Sequence, residues 1–400
     1  MKLQTPSVLL LRQALQKAAK GIESKPSVAL LADVLLRQNK KDGKFFFVTG
    51  TDDTQLTIPA PLDIVEGSFS NPVVLPIVSI TNLLGTLPPE CVLTMDLSED
   101  GSHMMNIEYC THNGDNVKSG NISLPFFAGD DFPEARELNQ EKTHISLPSS
   151  VFQSVISKAG KFVPNDDLRP IMNTLCIDIA EDRSEVIFVA TNGKILFKVT
   201  HSNNPETGGS NFYRSGEPTQ ILVHSSFFRT LSVFDDSEQI DIQTDGKSIL
   251  FSGNDIEYLC KAVDGKYPNY KSVIPTNNPY YVVVDKKELI SVVKRVALFS
   301  SASSNIVVLK KEGMFLNVCA SDIDFSKKAE DQVLITDSKC NDGFTIGFNY
   351  HSLLDTVTAI PDDTIRIQLA DPSRAGLVVP TEQPEGQDVL MLMMPMLIND

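Results

Sequence analysis

The residue types that most often carry chemistry are present, but their spacing forms no familiar catalytic or metal-binding pattern. The six cysteines contain no CxxC pair, and none has a histidine at a zinc-ligand spacing. We therefore expect reduced, mostly buried thiols. The six histidines are dispersed along the chain and have no obvious partners. The sequence thus predicts neither a metal site nor a cofactor.

A possible phosphate-binding loop is the sharpest catalytic candidate. Gly246-Lys247-Ser248 resembles the end of such a loop, but the motif needs a glycine where Asp241 stands, and the context predicts a β-turn. Paired aspartates at 52–53, 130–131 and 362–363 also fall in turns, where aspartate commonly accepts local hydrogen bonds. GxGxxG, HExxH and GxSxG motifs are absent. We expect a non-catalytic protein; an enzyme remains the alternative, which substrate-dependent turnover would favour.

The composition limits the class of protein. A chain of 400 residues with 42 % apolar residues is long enough for two or three folded domains. The N-terminal residues 1–24 read as an amphipathic helix without a cleavage site, and no apolar stretch is long enough to span a membrane. We therefore expect a cytoplasmic protein. The net charge of −16 argues against binding to phosphate backbones.

The elements that would position a site recur along the chain about every 140 residues. A helix followed by a strand, a polar turn and a strand is predicted three times, with the strand pairs at 47–58, 188–199 and 316–329. A second helix and an alternating strand follow each copy. The predicted helices span 7–20, 77–87, 150–162, 221–234, 285–298 and 349–360.

The repeat predicts an α+β fold of three tandem copies, each with two helices packed on antiparallel sheets. Polar, turn-rich segments near 139–145 and 276–281 suggest domains at 1–140, 141–278 and 279–400. A copy of this size can bury its own core, which distinguishes the chain from a solenoid. Tandem copies of one domain readily close head to tail into a ring.

The charge is distributed unevenly between the predicted helices and the rest of the chain. The helices carry ten basic and three acidic residues, a net charge of +7, so the remainder carries about −23. The basic residues are Arg12, Lys17, Lys20, Lys158, Lys161, Arg229, Lys286, Lys287, Lys294 and Arg295. If the helices share one face, that face can hold a polyanion without reading its sequence.

Six segments, in order along nearly the whole chain, match motifs of one known family. FVTGTDDTQLTI is similar to a "TGTD" turn, and GDDFPEA to a "DFP" segment. DDLRPIMNTLCIDI with FVATNGKILFKV resembles a "VR…LNG" and "ATDGHRL" pair. VDGKYPNYKSVIP is similar to a "DGRFPDYRRVLP" linker, IGFNYHSLLDTVTAI to "IGFN…YLLDVL", and MMPM to a terminal "VMPMR". Together these segments resemble the bacterial sliding clamp, the beta subunit of DNA polymerase III.

This resemblance implies three DNA-clamp domains per chain and a head-to-tail homodimer. The ring has its sheets outside and its helices around a central hole, through which double-stranded DNA passes independently of sequence. A clamp loader opens the ring, and the clamp itself makes or breaks no bond. The ring would tether the alpha subunit of the replicative polymerase, and other proteins that carry a clamp-binding motif, by raising their effective concentration at DNA.

The family's partner-peptide cleft carries over to positions between the second and third domains. Partner peptides of the family present a glutamine and apolar anchors, and flexible methionines suit a pocket with several partners. The implied cleft residues are Met172, Thr191, Gly193, Lys194, Leu196, Pro268, Val273, Met394, Pro395 and Met396.

The chain departs from the family at several basic positions of this cleft. Lys194-Ile195 replaces His-Arg, Ser272 replaces the second linker arginine, and Leu397 replaces the arginine after MPM. This chain then continues with Ile398, Asn399 and Asp400, whereas the family usually ends after that arginine. We expect an apolar floor with a thinner basic rim, and partner peptides that rely less on acidic contacts.

The resemblance also implies contacts with DNA and with a second copy. Lys25 and Arg169 match basic residues of the family near DNA, and the helix cations Arg12, Lys17, Lys20, Lys158 and Lys161 would line the hole. Leu298 and Phe299 match an apolar pair at the dimer interface. A phage- or plasmid-borne clamp paralogue and a structural repeat protein that does not bind DNA remain alternatives.

Overall fold

The computed structural model of the chain describes residues 1–98, 102–113, 116–134, 138–140, 142–164, 168–204, 206, 210–217, 219–322 and 324–398. Parts of the predicted features lie outside the described residues, namely Ala135, Glu137, Glu141, Asp166, Asp167, Asn399 and Asp400. The chain forms two compact units. Unit 1 contains Met1–Gln153 and Phe227–Ala262, and unit 2 contains Ser154–Ser226 and Val263–Asp400.

The structure repeats one arrangement of elements six times. In the described residues each half-repeat is a strand, a helix and three antiparallel strands, which extends the predicted halves of a helix followed by one or two strands. The helices are α1 (Val8–Ala18), α2 (Ile77–Leu84), α3 (Ser149–Ala159), α4 (Phe228–Leu231), α5 (Lys286–Ala297) and α6 (Tyr350–Ala359). The mixed architecture, with antiparallel sheets, confirms the predicted α+β fold of three repeated domains. The domain boundaries at 140 and 278 stay a prediction.

The strands of the first repeat are β1 (Lys2–Thr5), β2 (Val34–Gln38), β3 (Phe45–Gly50), β4 (Thr54–Ala60), β5 (Asp63–Glu66), β6 (Val73–Leu75), β7 (Val92–Leu97), β8 (Met104–Asn113), β9 (Asn116–Pro125) and β10 (Phe127–Ala128). Those of the second are β11 (Thr143–Pro148), β12 (Thr174–Ile179), β13 (Glu185–Thr191), β14 (Ile195–Ser202), β15 (Tyr213–Gly216), β16 (Gln220–His224), β17 (Gln239–Thr244), β18 (Ser248–Gly253) and β19 (Ile256–Lys261). Those of the third are β20 (Tyr280–Asp285), β21 (Ile306–Glu312), β22 (Phe315–Asp322), β23 (Lys327–Lys339), β24 (Thr345–Asn349), β25 (Thr364–Leu369), β26 (Gly376–Pro380) and β27 (Gln387–Met393).

The prediction of a helix over 221–234 placed the start of that helix too early. Its first residues form β16, which pairs with β12 so that Val223 lies opposite Leu175. The β-branched residues Ile221 and Val223 favour a strand, and both are buried there. The helical part is short: a 3₁₀ turn, α4, and a second 3₁₀ turn that ends at Asp236.

In each unit, sheets continue from one repeat into the next. In unit 1, one sheet has the order β5-β1-β7-β8-β9, and the other runs β10-β6-β2-β3-β4-β19-β18-β17-β11. In unit 2, a single sheet runs β16-β12-β13-β14-β27-β26-β25-β20-β23-β22-β21-β24. Pairing of β4 with β19 joins the first repeat to the second, and pairing of β14 with β27 joins the second to the third.

The helices bury one apolar stripe and expose the other face, as the 3.6-residue period predicts. In α1 the buried positions include Val8, Leu11 and Leu15, and α1 packs on β3 and β4. In α5, Leu289 and Val293 are buried, and Asp285 caps the helix by accepting a hydrogen bond from the Glu288 amide. The helices therefore stabilise the sheets and leave their charged residues on the outer stripe.

Candidate functional site

A tight turn between β13 and β14 forms one wall of a cleft in unit 2. The Thr191 hydroxyl donates to the Ile195 carbonyl (2.7 Å) and accepts from the Gly193 amide (3.1 Å). The Asn192 side chain accepts hydrogen bonds from the amides of Lys194 and Ile195, both at 2.9 Å. Gly193 has φ +85°, a left-handed conformation that side chains rarely adopt. These bonds hold Lys194 at the surface.

The cleft has a volume of about 540 Å³ and gathers most of the residues implied by the resemblance. The predicted residues that line it are Met172, Thr191, Gly193, Lys194, Leu196, Pro268, Val273 and Met394. Pairing of β14 with β27 brings them together, because it sets Leu196 opposite Leu392. Residues almost 200 positions apart thus share one wall.

Pro395 and Met396 do not line the cleft, contrary to expectation. The amide of Met394 donates to the Lys194 carbonyl (2.8 Å), so Met394 stays beside the turn. Two residues later, the amide of Met396 donates to the Gly347 carbonyl (2.8 Å), and the two residues form a β-bridge. This hydrogen bond ties Met396 to β24 and away from the cleft wall.

The floor of the cleft is apolar and buried, whereas its opening is exposed. Leu196 and Leu392 belong to a buried cluster that includes Tyr267 and Tyr270. The Tyr270 hydroxyl donates to the Asp178 carboxylate (2.7 Å), and burial, followed by this bond, raises its pKa above the usual range. At the opening, Val273 is 57 % exposed. The cleft therefore offers apolar contacts to a side chain that enters from its opening.

The cleft also contains residues that sequence reasoning missed. They are Ile195, Asn269, Tyr270, Pro275, Ser373, Arg374, Ala375 and Leu392. Ser373, Arg374 and Ala375 come from the loop between β25 and β26. The signal in the sequence was the Asp-Pro-Ser turn before Arg374, where Asp371 accepts a hydrogen bond from the Ser373 amide (2.9 Å). Nothing in the sequence placed that turn beside residues 191–196.

Of the cations expected to contact DNA, four lie in unit 1 and three in unit 2. Lys17 is engaged: its Nζ lies 2.6 Å from Asp236 and 3.7 Å from Asp235, which compensates its charge. Lys20 donates to the Ser232 hydroxyl (2.9 Å). Arg12 is half-buried, and Lys25 is exposed. In unit 1, Lys25 and Arg12 are therefore more available for contact with a polyanion than Lys17 and Lys20, which already have partners within the chain.

The unit 2 cations differ in their surroundings. Lys158 is half-buried on α3, and burial, with a smaller effect from Lys286, lowers its pKa. Lys161 and Arg169 are exposed. These cations are thus present at the predicted positions, but they differ in how accessible they are to a polyanion.

Leu298 and Phe299 follow α5 directly and lie at the surface of unit 2. Their exposed fractions are 76 % and 41 %, high for apolar side chains of this size. Helix α5 packs against β23, and Arg295 forms an ion pair with Asp331 of that strand (2.7 Å). The exposed pair therefore lies at the end of a helix that is fixed to a sheet.

The catalytic candidates of the sequence have structural explanations. Gly246-Lys247-Ser248 lies in the turn between β17 and β18, where Asp245 accepts hydrogen bonds from the amides of Lys247 (2.8 Å) and Ser248 (2.7 Å). Those amides are unavailable to a phosphate. His144 does have a partner, Asp241, at 2.9 Å in the neighbouring strand. The described cysteines are free; Cys91, Cys176 and Cys260 are buried, but Cys110 is exposed.

In the described part of the chain, no group of three or more His, Cys, Asp and Glu residues is placed to hold a metal ion. The helices of that part are all too short or too polar to cross a membrane.

Known proteins are similar to this chain along nearly its whole length. Residues 271–396 match the family model described as DNA polymerase III beta subunit, C-terminal domain. The beta sliding clamp of Caulobacter vibrioides is 22 % identical over 98 % of this chain and 99 % of its own length. That of Synechococcus elongatus is 23 % identical over 90 % of each. The crystal structure of the beta subunit from the DNA polymerase of Streptococcus pyogenes is 18 % identical, with a TM-score of 0.84 and full coverage of both chains.

Proposed function

We infer that this chain, which belongs to the beta sliding clamp family of DNA polymerase III beta subunits, is a non-catalytic processivity factor that encircles DNA. It would act in replication, in the cytoplasm, as a ring of two copies. The observation that carries the proposal is the strand pairing across repeat boundaries, because the same pairing between two copies closes a ring.

The pairing follows one rule. The last strand of a repeat's first half pairs with the last strand of the next repeat's second half: β4 with β19, and β14 with β27. Within one chain this rule assigns no partner to two strands, β23 of the third repeat and β9 of the first. Within the described residues, β9 pairs with β8 alone, and residues 327–334 of β23 pair with β22 alone. Pairing β23 of one copy with β9 of the other, twice, gives a closed head-to-tail dimer.

The exposed apolar pair fits this arrangement. Leu298 and Phe299 follow the helix that packs on β23, so they would be covered when a second copy pairs there. Single exposed apolar residues are common on monomers, but two adjacent ones beside an open sheet edge favour an interface. The dimer would have twofold symmetry, with two copies of the same contact.

Duplex DNA is the ligand that we propose for the hole. The helix cations Arg12, Lys17, Lys20, Lys158 and Lys161, with Lys25 and Arg169, would contact phosphates without reading bases. Among them Lys25 and Arg12 are better placed than Lys17, whose charge Asp236 compensates. The acidic remainder of the chain would repel DNA from the outer surface.

The cleft of unit 2 would hold the polymerase alpha subunit, the clamp loader and other proteins with a clamp-binding motif. Its apolar floor and flexible methionines suit a short peptide with apolar anchors. A peptide contact of modest affinity would become long-lived because the ring keeps both proteins at the same DNA. In this arrangement the hole would bind DNA and the cleft would bind partner proteins.

Topological retention on DNA tests the proposal directly. We expect the protein, loaded onto nicked circular plasmid with a bacterial clamp loader and ATP, to co-elute with the plasmid in gel filtration. Linearising the plasmid should release most of it, because a ring slides off free ends. Retention that is unchanged by linearisation would contradict encirclement, and turnover of a substrate would favour the enzyme alternative.

Removing apolar surface at the opening of the cleft should weaken peptide binding. We expect Val273→Ala with Met394→Ala to lower the affinity for the acetylated, amidated peptide Gln-Leu-Asn-Leu-Phe about tenfold or more, since two anchoring contacts are lost. Both side chains are exposed, so the fold should be unaffected. Fluorescence anisotropy provides the measurement. Met314→Ala is the matched control, because Met314 is 68 % exposed and does not line the cleft; an equal loss in this control would count against the cleft.

A further inference from the structure

We propose that Asp235 and Asp236 restrain the affinity of the hole for DNA by neutralising Lys17 and Lys20 at the end of α1. The inference rests on the proposed function, in which a closed ring encircles duplex DNA and is retained by its topology. Such a ring needs no tight contact with phosphates to stay on DNA, and every ionic contact must break before the ring can slide. Carboxylates that weaken these contacts would therefore let the ring move along the duplex.

Both carboxylates reach the lysines through contacts within unit 1. They lie in the 3₁₀ turn Ser232–Asp236, which follows α4. The Nζ atom of Lys17 lies 2.6 Å from the Asp236 carboxylate and 3.7 Å from that of Asp235, and Lys20 donates to the Ser232 hydroxyl (2.9 Å). A hydrogen bond from Lys17, with the charges of Lys17 and Lys20, lowers the pKa of Asp236. Two cations and two carboxylates thus form one group with no net charge.

The two carboxylates are placed where they act on a ligand more than on the fold. The side chains of Asp235 and Asp236 are 58 % and 76 % exposed, whereas that of Lys17 is 24 % exposed. Exposed ion pairs contribute little to stability, so the stability of unit 1 does not account for this arrangement. A phosphate that approaches Lys17 must displace Asp236 and is repelled by both carboxylates. The two carboxylates therefore lower the attraction of α1 for a polyanion.

The same helix position carries a cation in all three repeats, and its surroundings differ. The cation directly precedes the last buried residue of the first helix of each repeat: Lys17 before Ala18, Lys158 before Ala159, and Arg295 before Val296. Arg295 pairs with Asp331 of β23 (2.7 Å). Lys158 has no ion-pair partner among the described residues, and the neighbouring charge that lowers its pKa is another cation, Lys286. A 3₁₀ turn and a strand thus supply carboxylates at two of these positions, so the neutralisation does not simply follow from the repeat.

Removing the two charges should strengthen binding to DNA. Asp235→Asn with Asp236→Asn keeps the size of both side chains, and the exposure of both positions should leave the fold unchanged. We expect the dimer to bind a short, fluorescein-labelled linear duplex about tenfold more tightly at low ionic strength, measured by fluorescence anisotropy. The slope of log affinity against log salt should become steeper by about two, since one lysine per copy becomes free to contact a phosphate.

A matched pair of substitutions separates this effect from a change in net charge. Asp255→Asn with Glu66→Gln also removes two carboxylates that pair with exposed lysines of unit 1, Lys44 and Lys2, each at 2.7 Å. These two lysines lie outside the helices. We therefore expect this control to bind the duplex within about twofold of the wild type.

Replacing the lysine then tests the ion pair itself. Lys17→Gln, added to the variant without the two carboxylates, should remove most of the gain in affinity. No gain on removal of the carboxylates, or an equal gain in the matched control, overturns the proposed restraint; encirclement of DNA then still stands if the wild type is retained on nicked circles. If the wild type is not retained there, the proposed function fails, and this inference fails with it.

Discussion

Replacing Leu298 and Phe299 together by aspartate is expected to convert a dimer of twice 44.0 kDa into a monomer. Burying two large apolar side chains stabilises an interface by about 1.5–3 kcal/mol each. The substitutions remove this contribution and place two carboxylates in the contact, where desolvation is costly. We therefore expect the dissociation constant to rise about a thousandfold or more. Light scattering coupled to size exclusion, at micromolar concentration, measures the mass.

The exposure of the pair makes the result interpretable. Because Leu298 is 76 % exposed, aspartate at this position should not disturb the core, and circular dichroism should match the wild type. Val65→Asp on β5 is the control, since Val65 is 51 % exposed and β5 lies at the opposite edge of its sheet from β9. A dimer that persists in the double variant would refute the assigned interface. The double variant should also lose retention on nicked circles, because one copy cannot close the ring.

Acidification should weaken unit 2 through one buried histidine. His201 of β14 is 4 % exposed, with its ring centroid 5.7 Å from that of Phe188 and 5.4 Å from that of Phe212. Burial lowers the pKa of His201 to about 4. In the unfolded chain the pKa is about 6.5, so between these values the unfolded state binds more protons. The contribution of His201 is complete above pH 6.5 and declines as the pH falls towards 4, by at most about 3 kcal/mol.

A variant that cannot titrate isolates this contribution. His201→Phe should reduce the pH dependence of the urea midpoint for unit 2 between pH 7 and pH 4.5, whatever its stability at pH 7. His351→Gln, an exposed histidine of the same unit, should keep the wild-type dependence. Circular dichroism at several pH values follows both. If wild type and His201→Phe lose the same stability on acidification, protonation of His201 does not control it.

Much of the candidate site could be predicted, but only through resemblance. Four segments of the resemblance, at 166–179, 188–199, 263–275 and the terminal MMPM, named eight residues that line one cleft. Composition and periodicity could not do this, since apolar residues in a cleft and in a core have the same pattern. Arg374 was missed because its turn is placed beside the cleft by strand order, which the sequence of that loop does not contain. Met396 does not line the cleft in this structure, because its amide bonds to Gly347, a contact that depends on tertiary packing.

The distribution of charge also shows what could be predicted from the sequence and what depended on the fold. The sequence alone showed that basic residues concentrate on the predicted helices, and the structure retains them there except Lys161, which lies in the turn after α3. It could not show that Lys17 is compensated by Asp236, because the two residues are 219 positions apart and meet only in the folded unit. A count of charges on predicted helices therefore overestimates the positive charge available to a polyanion.

The sequence by itself determined the threefold repeat, the division of each copy into two halves of a helix followed by strands, and the positions of most predicted elements. These features depend on burial periodicity and turn chemistry, which act between residues a few positions apart. Tertiary structure alone decided that Ile221–Val223 form a strand, which cations are paired, and which loops meet at the cleft. Each of these depends on pairing with a segment far away in sequence, such as β16 with β12 or β14 with β27, and such long-range pairing leaves no local pattern in the chain.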